Sequence, residues 1–310
     1  MPDLILHHYP ESPFSEKIRL LLGYKQASYR AVRIPVIQPK PDFMAISGGY
    51  RKTPVLQVGA DIYCDSALMA RVIDRLYPHN SIFPAAFEAV AGGMAHWTDT
   101  MLFKVCVAMA FQPRALGSQT LFADPAAAAA FMADRAEFGK GSTELNLDFA
   151  IAQPYFLLHL KRLDTQLAIN VFLLGDTPTI VDFSNYHCLW FVHNNAALRE
   201  TFAPFPAVLA WLARMGKFGQ GNITEITGAE ALAVAAAASP DLTPRIEAQQ
   251  VDGFKAGDAV KITPIDYGLF PVHGKLLVAS LEELAVVRED PQLGQTVVHF
   301  PRLGFKIEAA

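Results

Sequence analysis

The stretch Thr53-Pro54-Val55-Leu56, followed nine residues later by Asp65-Ser66, decides the fold of this chain. Residues 55–58 favour a strand, Gly59-Ala60-Asp61 favours a tight turn, and residues 62–64 favour a second strand. Asp65 or Ser66 can then cap a helix whose apolar side chains recur at helical spacing. The sequence therefore predicts a β-hairpin that leads directly into a helix.

Pro54 places the start of this hairpin at a sheet edge or at a cis peptide bond, because proline has no N–H to donate. The backbone groups of Thr53 are then left to pair with another extended peptide. The N-terminus of the following helix, with the Ser66 hydroxyl, suits a carboxylate. A small acidic peptide would fit this edge, but the stretch taken alone favours the alternative, a capped hairpin without any ligand.

The composition indicates a large core and no nucleic-acid function. The chain has 310 residues, of which 52% are hydrophobic and 18% charged, so we expect two or three domains. Its net charge of -4 gives no electrostatic basis for binding nucleic acid. Cys64, Cys106 and Cys188 are widely spaced and odd in number, which we interpret as free thiols in a reducing compartment. Neither a signal peptide nor an apolar run of membrane-spanning length is recognisable, so we expect a cytoplasmic protein with no membrane partner.

The order of the predicted elements divides the chain into three parts. Residues 4–77 read β-α-β-α-β-β-α, one α/β unit that we assign to a first domain over residues 1–78. Residues 86–238 predict an all-helical second domain, in which Thr179 and Asp182 form a capping pattern at one helix start.

Beyond Ser239-Pro240 the helical period disappears. Residues 240–310 predict a small β-rich, barrel-like module of about five short antiparallel strands. A unit of about seventy residues is near the lower limit for a self-sufficient core, so we expect it to dock on the rest of the chain. A structural role is the first interpretation, and a wall of the substrate pocket is the alternative.

Three motifs in this order resemble the soluble glutathione transferases. Ser12-Pro13-Phe14-Ser15-Glu16-Lys17-Ile18-Arg19 resembles the serine-containing first-helix motif of the tau and zeta classes. Lys52-Thr53-Pro54-Val55-Leu56 is similar to the family's cis-proline strand, and Asp65-Ser66-Ala67-Leu68 is similar to its Glu-Ser-x-Ile. The likeness covers roughly residues 4–220, including the helix start at Thr179.

The resemblance implies a fold, an assembly and a co-substrate. It implies an α/β thioredoxin-like N-terminal domain, an all-α glutathione-transferase-like domain, a homodimer and glutathione as co-substrate, used in detoxification. The chain departs from the family pattern at Asp65, where glutamate is commoner, in the long region 113–155, and in the module after residue 240. The shorter Asp65 side chain reduces the reach to a ligand amine, and the other two departures bear on the substrate and on the activity.

Ser12 is the first candidate for activating the glutathione thiol, whose pKa lies well above neutral. It stands just before the first helix, where its hydroxyl and adjacent backbone N–H groups can face a bound sulfur. A plain helix N-cap is the alternative interpretation of Ser12. Ser15 is the second catalytic candidate, and Tyr9 is a distant third.

The remaining site residues follow from the resemblance. Thr53, before Pro54, would bond the cysteinyl backbone of glutathione. Asp65 would meet the γ-glutamyl amine, and Ser66 the γ-glutamyl carboxylate.

Two lysines are candidates for the glycyl carboxylate. Lys52, and less certainly Lys40, would pair with it. A solvated surface charge is the alternative for both lysines, and the preferred interpretation for Lys40.

The histidines show no metal-ligand spacing. His7 and His8 are adjacent, so they point to opposite faces of the first strand, and we expect one of them to be buried or at the strand end. The helix over residues 94–112 is expected to line the pocket for the electrophile.

The leading hypothesis is an enzyme that adds the glutathione thiolate to an apolar electrophilic small molecule, or uses it in a related lyase, isomerase or dehalogenase step. The competing hypothesis is a non-catalytic member of the family that acts as an interaction or regulatory protein. Ser12 distinguishes them, because a binder without chemistry has no need of a hydroxyl at that position.

Overall fold

The N-terminal elements form a thioredoxin-like unit. A computed structural model describes residues 3–116, 124–249 and 253–310. In this unit β1 runs parallel to β2 and antiparallel to β3, and β4 pairs antiparallel with β3, which confirms the predicted order. The elements are β1 (Leu4–His8), α1 (Pro13–Tyr24), β2 (Ser28–Arg33), α2 (Pro41–Ser47), β3 (Val55–Val58), β4 (Asp61–Cys64) and α3 (Ser66–Leu76).

The central strand β1 is buried on both faces. All five of its residues are buried, including His7 and His8. The expectation that one of the two is buried or at the strand end therefore understated the burial, because helices cover one face of the sheet as fully as the other. His7 bonds Gln57 at 2.8 Å, and burial lowers the pKa of both histidines to about 4. Both imidazoles are accordingly neutral at pH 7.

Helices α4 to α10 form the second unit. Residues 88–110 are a continuous helical run in which Thr98–Leu102 form a π-helical turn. The helices are α4 (Glu88–Trp97), α5 (Phe103–Ala110), α6 (Pro113–Leu116), α7 (Pro125–Phe138), α8 (Phe149–Leu167), α9 (Ile180–His193) and α10 (Pro206–Gly216).

The start of α9 anchors this unit. The carboxylate of Asp182 accepts hydrogen bonds from Thr179 N at 2.9 Å, from Leu173 N at 2.9 Å and from Trp211 Nε1 at 3.1 Å. These bonds compensate the burial of the carboxylate, and they tie the helix start to the preceding loop and to α10. The predicted capping pattern is confirmed.

A strand that the sequence analysis did not predict follows α10. β5 (Asn222–Ile226) pairs parallel with the outer edge of β2, and α11 (Gly228–Ala237) then packs near α2. The expectation that residues 86–238 are entirely helical is wrong at this point. The chain returns here to the first sheet, where the open edge of β2 offers backbone partners to the β-branched Ile223, Thr224 and Ile226. The three-part division of the chain remains our proposal for its folding units.

The five strands predicted in the C-terminal module are confirmed. β7 to β10 form an antiparallel meander, and β11 returns to pair with β7. A sixth, two-residue strand, β6, pairs with β8 and was not predicted. The strands are β6 (Arg245–Ile246), β7 (Ala259–Pro264), β8 (Val272–Ala279), β9 (Glu283–Asp290), β10 (Gly294–Pro301) and β11 (Phe305–Ala309).

The module joins the first unit through a shared sheet. β10 pairs parallel with β4, with Val297 opposite Asp61 and His299 opposite Tyr63. The strand order is β11-β7-β8-β9-β10-β4-β3-β1-β2-β5, with β6 paired to β8. Phe300 is fully buried against Tyr50, with ring centroids 5.9 Å apart. The expected docking of the module is thereby confirmed.

None of the helices in these described ranges combines the length and the apolar character needed to cross a bilayer.

His299 joins the two units electrostatically. Its Nδ1 lies 2.6 Å from Glu283 of the module, and its Nε2 lies 3.0 Å from Asp61 of the first unit. Its ring stacks on Tyr63 at 4.4 Å, and Arg245 stands 3.6 Å from Glu283. Both ring nitrogens face carboxylates, so both donate only when the imidazole is protonated. Burial alone would lower the pKa of His299, but the bonds to Asp61 and Glu283 outweigh it and raise that pKa.

We predict that His299→Gln lowers the free energy of unfolding by about 1.5–3 kcal/mol at about pH 6. Because the pKa of His299 is higher in the folded than in the unfolded state, protonation stabilises the fold. This contribution is complete below the unfolded pKa and is lost as pH rises through the folded pKa. The difference between wild type and variant should therefore shrink by about pH 9. Urea unfolding at the two pH values measures it.

His273→Gln is the matched control, since His273 is an exposed histidine on the same module. It should change the unfolding free energy little at either pH. A loss for His299→Gln that is equal at both pH values would show that the ring is not protonated in the folded state.

Candidate functional site

The N-terminus of α1 places Ser12 as predicted. Ser12 has extended backbone angles, is buried, and accepts a hydrogen bond at Oγ from Ser15 N at 3.2 Å. It is therefore the N-cap of α1. A hydroxyl that accepts in this way keeps its own proton for donation, so capping does not exclude a bond to a thiolate.

Ser15 and Tyr9 stand beside Ser12. Ser15 is fully buried, and its Oγ has no hydrogen-bond partner within the described residues. Tyr9 is half-buried, and burial raises the pKa of its phenol, so the phenol stays neutral. Ser12 remains the first candidate on position, because it alone stands at the helix cap.

The Thr53-Pro54 peptide bond is cis, and Pro54 is buried. The ladders of β3 begin at Val55, which pairs with His7 on one side and Cys64 on the other. Thr53 therefore lies beyond both ladders, at the position expected for a backbone that pairs with a ligand.

Asp65 and Ser66 form the junction between β4 and α3. Asp65 has a φ of 71°, which is unusual for a residue other than glycine, and its Oδ1 accepts from Ala67 N at 2.9 Å. Burial raises the pKa of Asp65, against the opposing effect of Lys52. Ser66 is buried at the first position of α3, where backbone N–H groups favour an anion.

A buried ion pair that the sequence analysis did not identify lies behind Ser66. Lys17 is fully buried, and its Nζ lies 2.5 Å from Asp99 Oδ2 and 3.4 Å from Ser66 Oγ. His187 Nε2 bonds the other oxygen of Asp99 at 2.9 Å. Burial would raise the pKa of Asp99, but Lys17 and His187 lower it to about 2. The signal was present, because Lys17 precedes Leu21 by one turn on the apolar face of α1, and a charge there needs a partner.

Comparison with known proteins identifies the family. A model of the N-terminal domain of glutathione S-transferases matches residues 6–81, and one of the C-terminal domain matches residues 147–214. The solved structure of a GST-like protein from Pseudomonas syringae is 38% identical, with 100% of both chains covered and a TM-score of 0.83. The chain belongs to the glutathione S-transferase family.

More distant structures share the fold alone. The beta-etherase LigF from Sphingobium is 14% identical, with 69% of this chain and 94% of that chain covered and a TM-score of 0.50. The match with the Pseudomonas syringae protein, by contrast, also spans the C-terminal module. No curated protein matches the chain.

Neither lysine expected near the glycyl carboxylate is a solvated surface charge. Lys40 is 4% exposed, and its Nζ lies 5.4 Å from the centre of the Tyr9 ring. Burial lowers the pKa of Lys40 to about 8. Lys52 lies 2.5 Å from Asp266 of the C-terminal module and 4.2 Å from the centre of the Tyr267 ring. The surface interpretation was wrong because α7 and the module cover this side of the first unit.

The helix expected to line the electrophile pocket packs against α1 close to Ser12. The rings of Phe14 and Phe103 are 4.6 Å apart, and Phe14 is also 4.6 Å from the ring of His187. An open groove of about 660 Å³ lies elsewhere, between β7, β8 and β9 of the module, and contains none of the predicted site residues. The pocket expectation therefore stays a prediction.

The cysteines and histidines form no metal centre within residues 3–116, 124–249 and 253–310. Cys64, Cys106 and Cys188 are buried and unpaired. Burial raises the pKa of Cys64 and Cys188 well above the usual value, so these thiols are poor nucleophiles.

Proposed function

We propose that this chain binds glutathione at the edge formed by Thr53 and Pro54, and that it adds the glutathione thiolate to an apolar electrophile. One observation carries the proposal. A cis-proline edge, the N-terminus of α3 with Ser66, and the N-terminus of α1 with Ser12 belong to one thioredoxin-like unit, in which Lys17 of α1 lies 3.4 Å from Ser66 Oγ. Together these groups match a peptide backbone, a carboxylate and a thiol.

The ligand's backbone and amino-acid end follow from this arrangement. The Thr53 backbone pairs with the cysteinyl backbone as an added strand. Ser66 and the N–H groups of α3 receive the γ-glutamyl carboxylate, and Lys17, 3.4 Å from Ser66 Oγ, adds positive charge behind it. Asp65 receives the γ-glutamyl amine, and Lys52 is the partner available for the glycyl carboxylate.

The chemical step needs the thiolate at neutral pH, whereas a free thiol has a pKa of about 8.5. The Ser12 hydroxyl donates to the sulfur, and the N-terminus of α1 favours negative charge there. The thiol proton passes to solvent. The sulfur then forms a bond to the electrophilic carbon, and the leaving group departs with the electrons of the broken bond.

The second candidate function is a non-catalytic glutathione-transferase-like protein with an interaction or regulatory role. The Lys52–Asp266 pair favours it, because a carboxylate of the chain already binds the lysine expected to hold the ligand. Turnover of a simple aromatic halide with glutathione separates the two functions, since only the enzyme accelerates loss of halide.

We also propose that the protein is a cytoplasmic homodimer. Its buried, unpaired cysteines suit a reducing compartment. Phe87, Val90, Met94 and Trp97 lie at helical spacing along α4 and its start, and each is 37–55% exposed. Trp97 contacts His159 of α8, where Ile151, Tyr155 and Leu158 are exposed as well. A contiguous exposed apolar surface of this kind marks a protein interface.

We predict that Ser66→Ala weakens glutathione binding by about 1.5–3 kcal/mol, because it removes one charge-assisted hydrogen bond to the γ-glutamyl carboxylate. Isothermal titration calorimetry measures the affinity. Ser28→Ala, an exposed serine on β2, is the control and should bind as wild type does. Unchanged affinity in Ser66→Ala would place the carboxylate elsewhere.

We predict that Ser12→Ala raises the pKa of bound glutathione and leaves its affinity nearly unchanged. The readout is the ultraviolet absorbance of the thiolate as pH is raised. Ser12→Gly is the matched variant, because glycine retains most of the N-cap stability and lacks the hydroxyl. Both variants should shift the titration alike. A shift in Ser15→Ala but not in these two would assign the role to Ser15.

We predict that the double variant Val90→Glu, Met94→Glu is a monomer, because two charges desolvated in an apolar interface oppose association. Light scattering after size exclusion gives the mass. Leu303→Glu, at an exposed leucine of the module, is the control and should remain a dimer. A dimeric double variant would locate the interface elsewhere, and a monomeric wild type would refute the homodimer itself.

A further inference from the structure

The loop between β7 and β8 brings the C-terminal module to the proposed glutathione site. Asp266 Oδ1 lies 2.5 Å from Lys52 Nζ, and the ring of Tyr267 lies 4.2 Å from the same nitrogen. Lys52 is only 13% exposed and Asp266 32%. The module therefore supplies an anion to the lysine that immediately precedes Thr53 and Pro54.

The helical unit holds this loop in place. Ser142 Oγ donates to the Asp266 carbonyl, and Gly268 N donates to the Phe138 carbonyl at 3.1 Å. Gly268 has a φ of +62°, and a Cβ there would lie 2.5 Å from the Phe138 ring. The Tyr267 ring packs edge-on against Phe138 with centroids 5.5 Å apart. Asp266 thus reaches Lys52 from a loop fixed on both sides.

The neighbouring cation is paired as well. Arg51 bonds Asp134 of α7 at 2.8 Å, with both side chains below 10% exposed. Its guanidinium lies 5.2 Å from the Phe138 ring centre and 4.8 Å from that of Phe270. Because Arg51 is held in this way, it is not available to replace Lys52 as the partner of a ligand carboxylate.

A ligand that extends past Thr53 with a terminal carboxylate meets Asp266 at Lys52. Two carboxylates close to one ammonium repel each other, so Asp266 disfavours a ligand carboxylate at Lys52. A γ-glutamyl thiol that ends at the cysteine is one residue shorter, so its own carboxylate ends nearer the Thr53 backbone and competes less with Asp266 for Lys52. The two kinds of ligand therefore differ in how far their binding requires Asp266 to move away from Lys52.

We propose that Asp266 determines which γ-glutamyl thiols the site accepts, by competing with the ligand's terminal carboxylate for Lys52. This inference rests on the proposed glutathione site. It assigns the module a part in ligand selection: glutathione binds by displacing Asp266, whereas a γ-glutamyl thiol without the terminal glycine displaces it less.

The test compares glutathione with γ-glutamylcysteine by calorimetry. Asp266→Asn should raise the affinity for glutathione by roughly fivefold or more, as expected for a coupled pair of this kind, and raise that for γ-glutamylcysteine less. Adding Lys52→Met to Asp266→Asn should abolish the gain, because it removes the ammonium that Asp266→Asn frees for the glycyl carboxylate. Asp266→Glu, which keeps the carboxylate, should retain the wild-type affinities.

Glu308→Gln is the matched control, because it removes the same charge from the same module at a glutamate whose side chain is 42% exposed and paired with Lys306, and it should change neither affinity. Equal affinity for glutathione in wild type and Asp266→Asn, or an equal gain for both thiols, would overturn the role of Asp266 alone. Binding of neither thiol by any of these proteins would overturn the glutathione site and this inference with it.

Discussion

The pairing of β10 with β4 is the constraint on which the arrangement of the site depends. β4 ends at Cys64, directly before Asp65 and the start of α3, so any strand that pairs with β4 brings its own domain close to that junction. An unpaired sheet edge presents backbone groups that invite association, and β10 covers them. The pairing of β10 with β4 does more than protect the sheet edge. The same docking carries the β7–β8 loop to Lys52, on the side of the sheet where a ligand would lie.

The buried pair of Lys17 and Asp99 is the second constraint. Removing two charges from water is unfavourable, and their attraction compensates only when the remaining donors and acceptors are satisfied. Here His187 bonds the second carboxylate oxygen, and Ser66 lies within reach of the ammonium. The pair joins α1 to the helical unit. It also places the Lys17 ammonium 3.4 Å from Ser66 Oγ, so the same interaction joins the two units and supports the anion site proposed at α3.

Local patterns in the sequence were sufficient for much of the fold and for the first part of the site. Three features depend on residues within a few positions of one another: the cap at Ser12, the cis bond at Pro54 and the cap of α9. They can therefore be predicted without knowledge of the tertiary structure. The need of Lys17 for a partner could in principle be predicted, because it is a charge on an apolar helix face. Its partner could not be, because Asp99 belongs to a π-helical turn that periodicity does not reveal.

Long-range pairings could not be predicted in the same way. Lys52 and Asp266 are 214 residues apart, and nothing in either local sequence indicates the other. β5 was missed for a related reason, since its five residues gain their strand character from the open edge of β2 rather than from burial of an apolar face. Propensity is a weak guide where the partner backbone decides the conformation. Lys40, for which a surface charge was the preferred interpretation, is buried because elements distant in sequence cover it.

Membership of the family fixes the fold, but a fold does not by itself determine the function of a site. Binding of a ligand is a difference between two states of the protein, and here the unliganded state already has an ion pair at Lys52. A carboxylate from solvent must therefore improve on one held 2.5 Å away by the chain's own loop. The intramolecular carboxylate has the advantage of a high effective concentration, whereas the ligand has the remaining contacts along Thr53 and α3. In the proposed site the balance between them depends on the C-terminal module, so that module belongs to the proposed binding equilibrium as well as to the sheet.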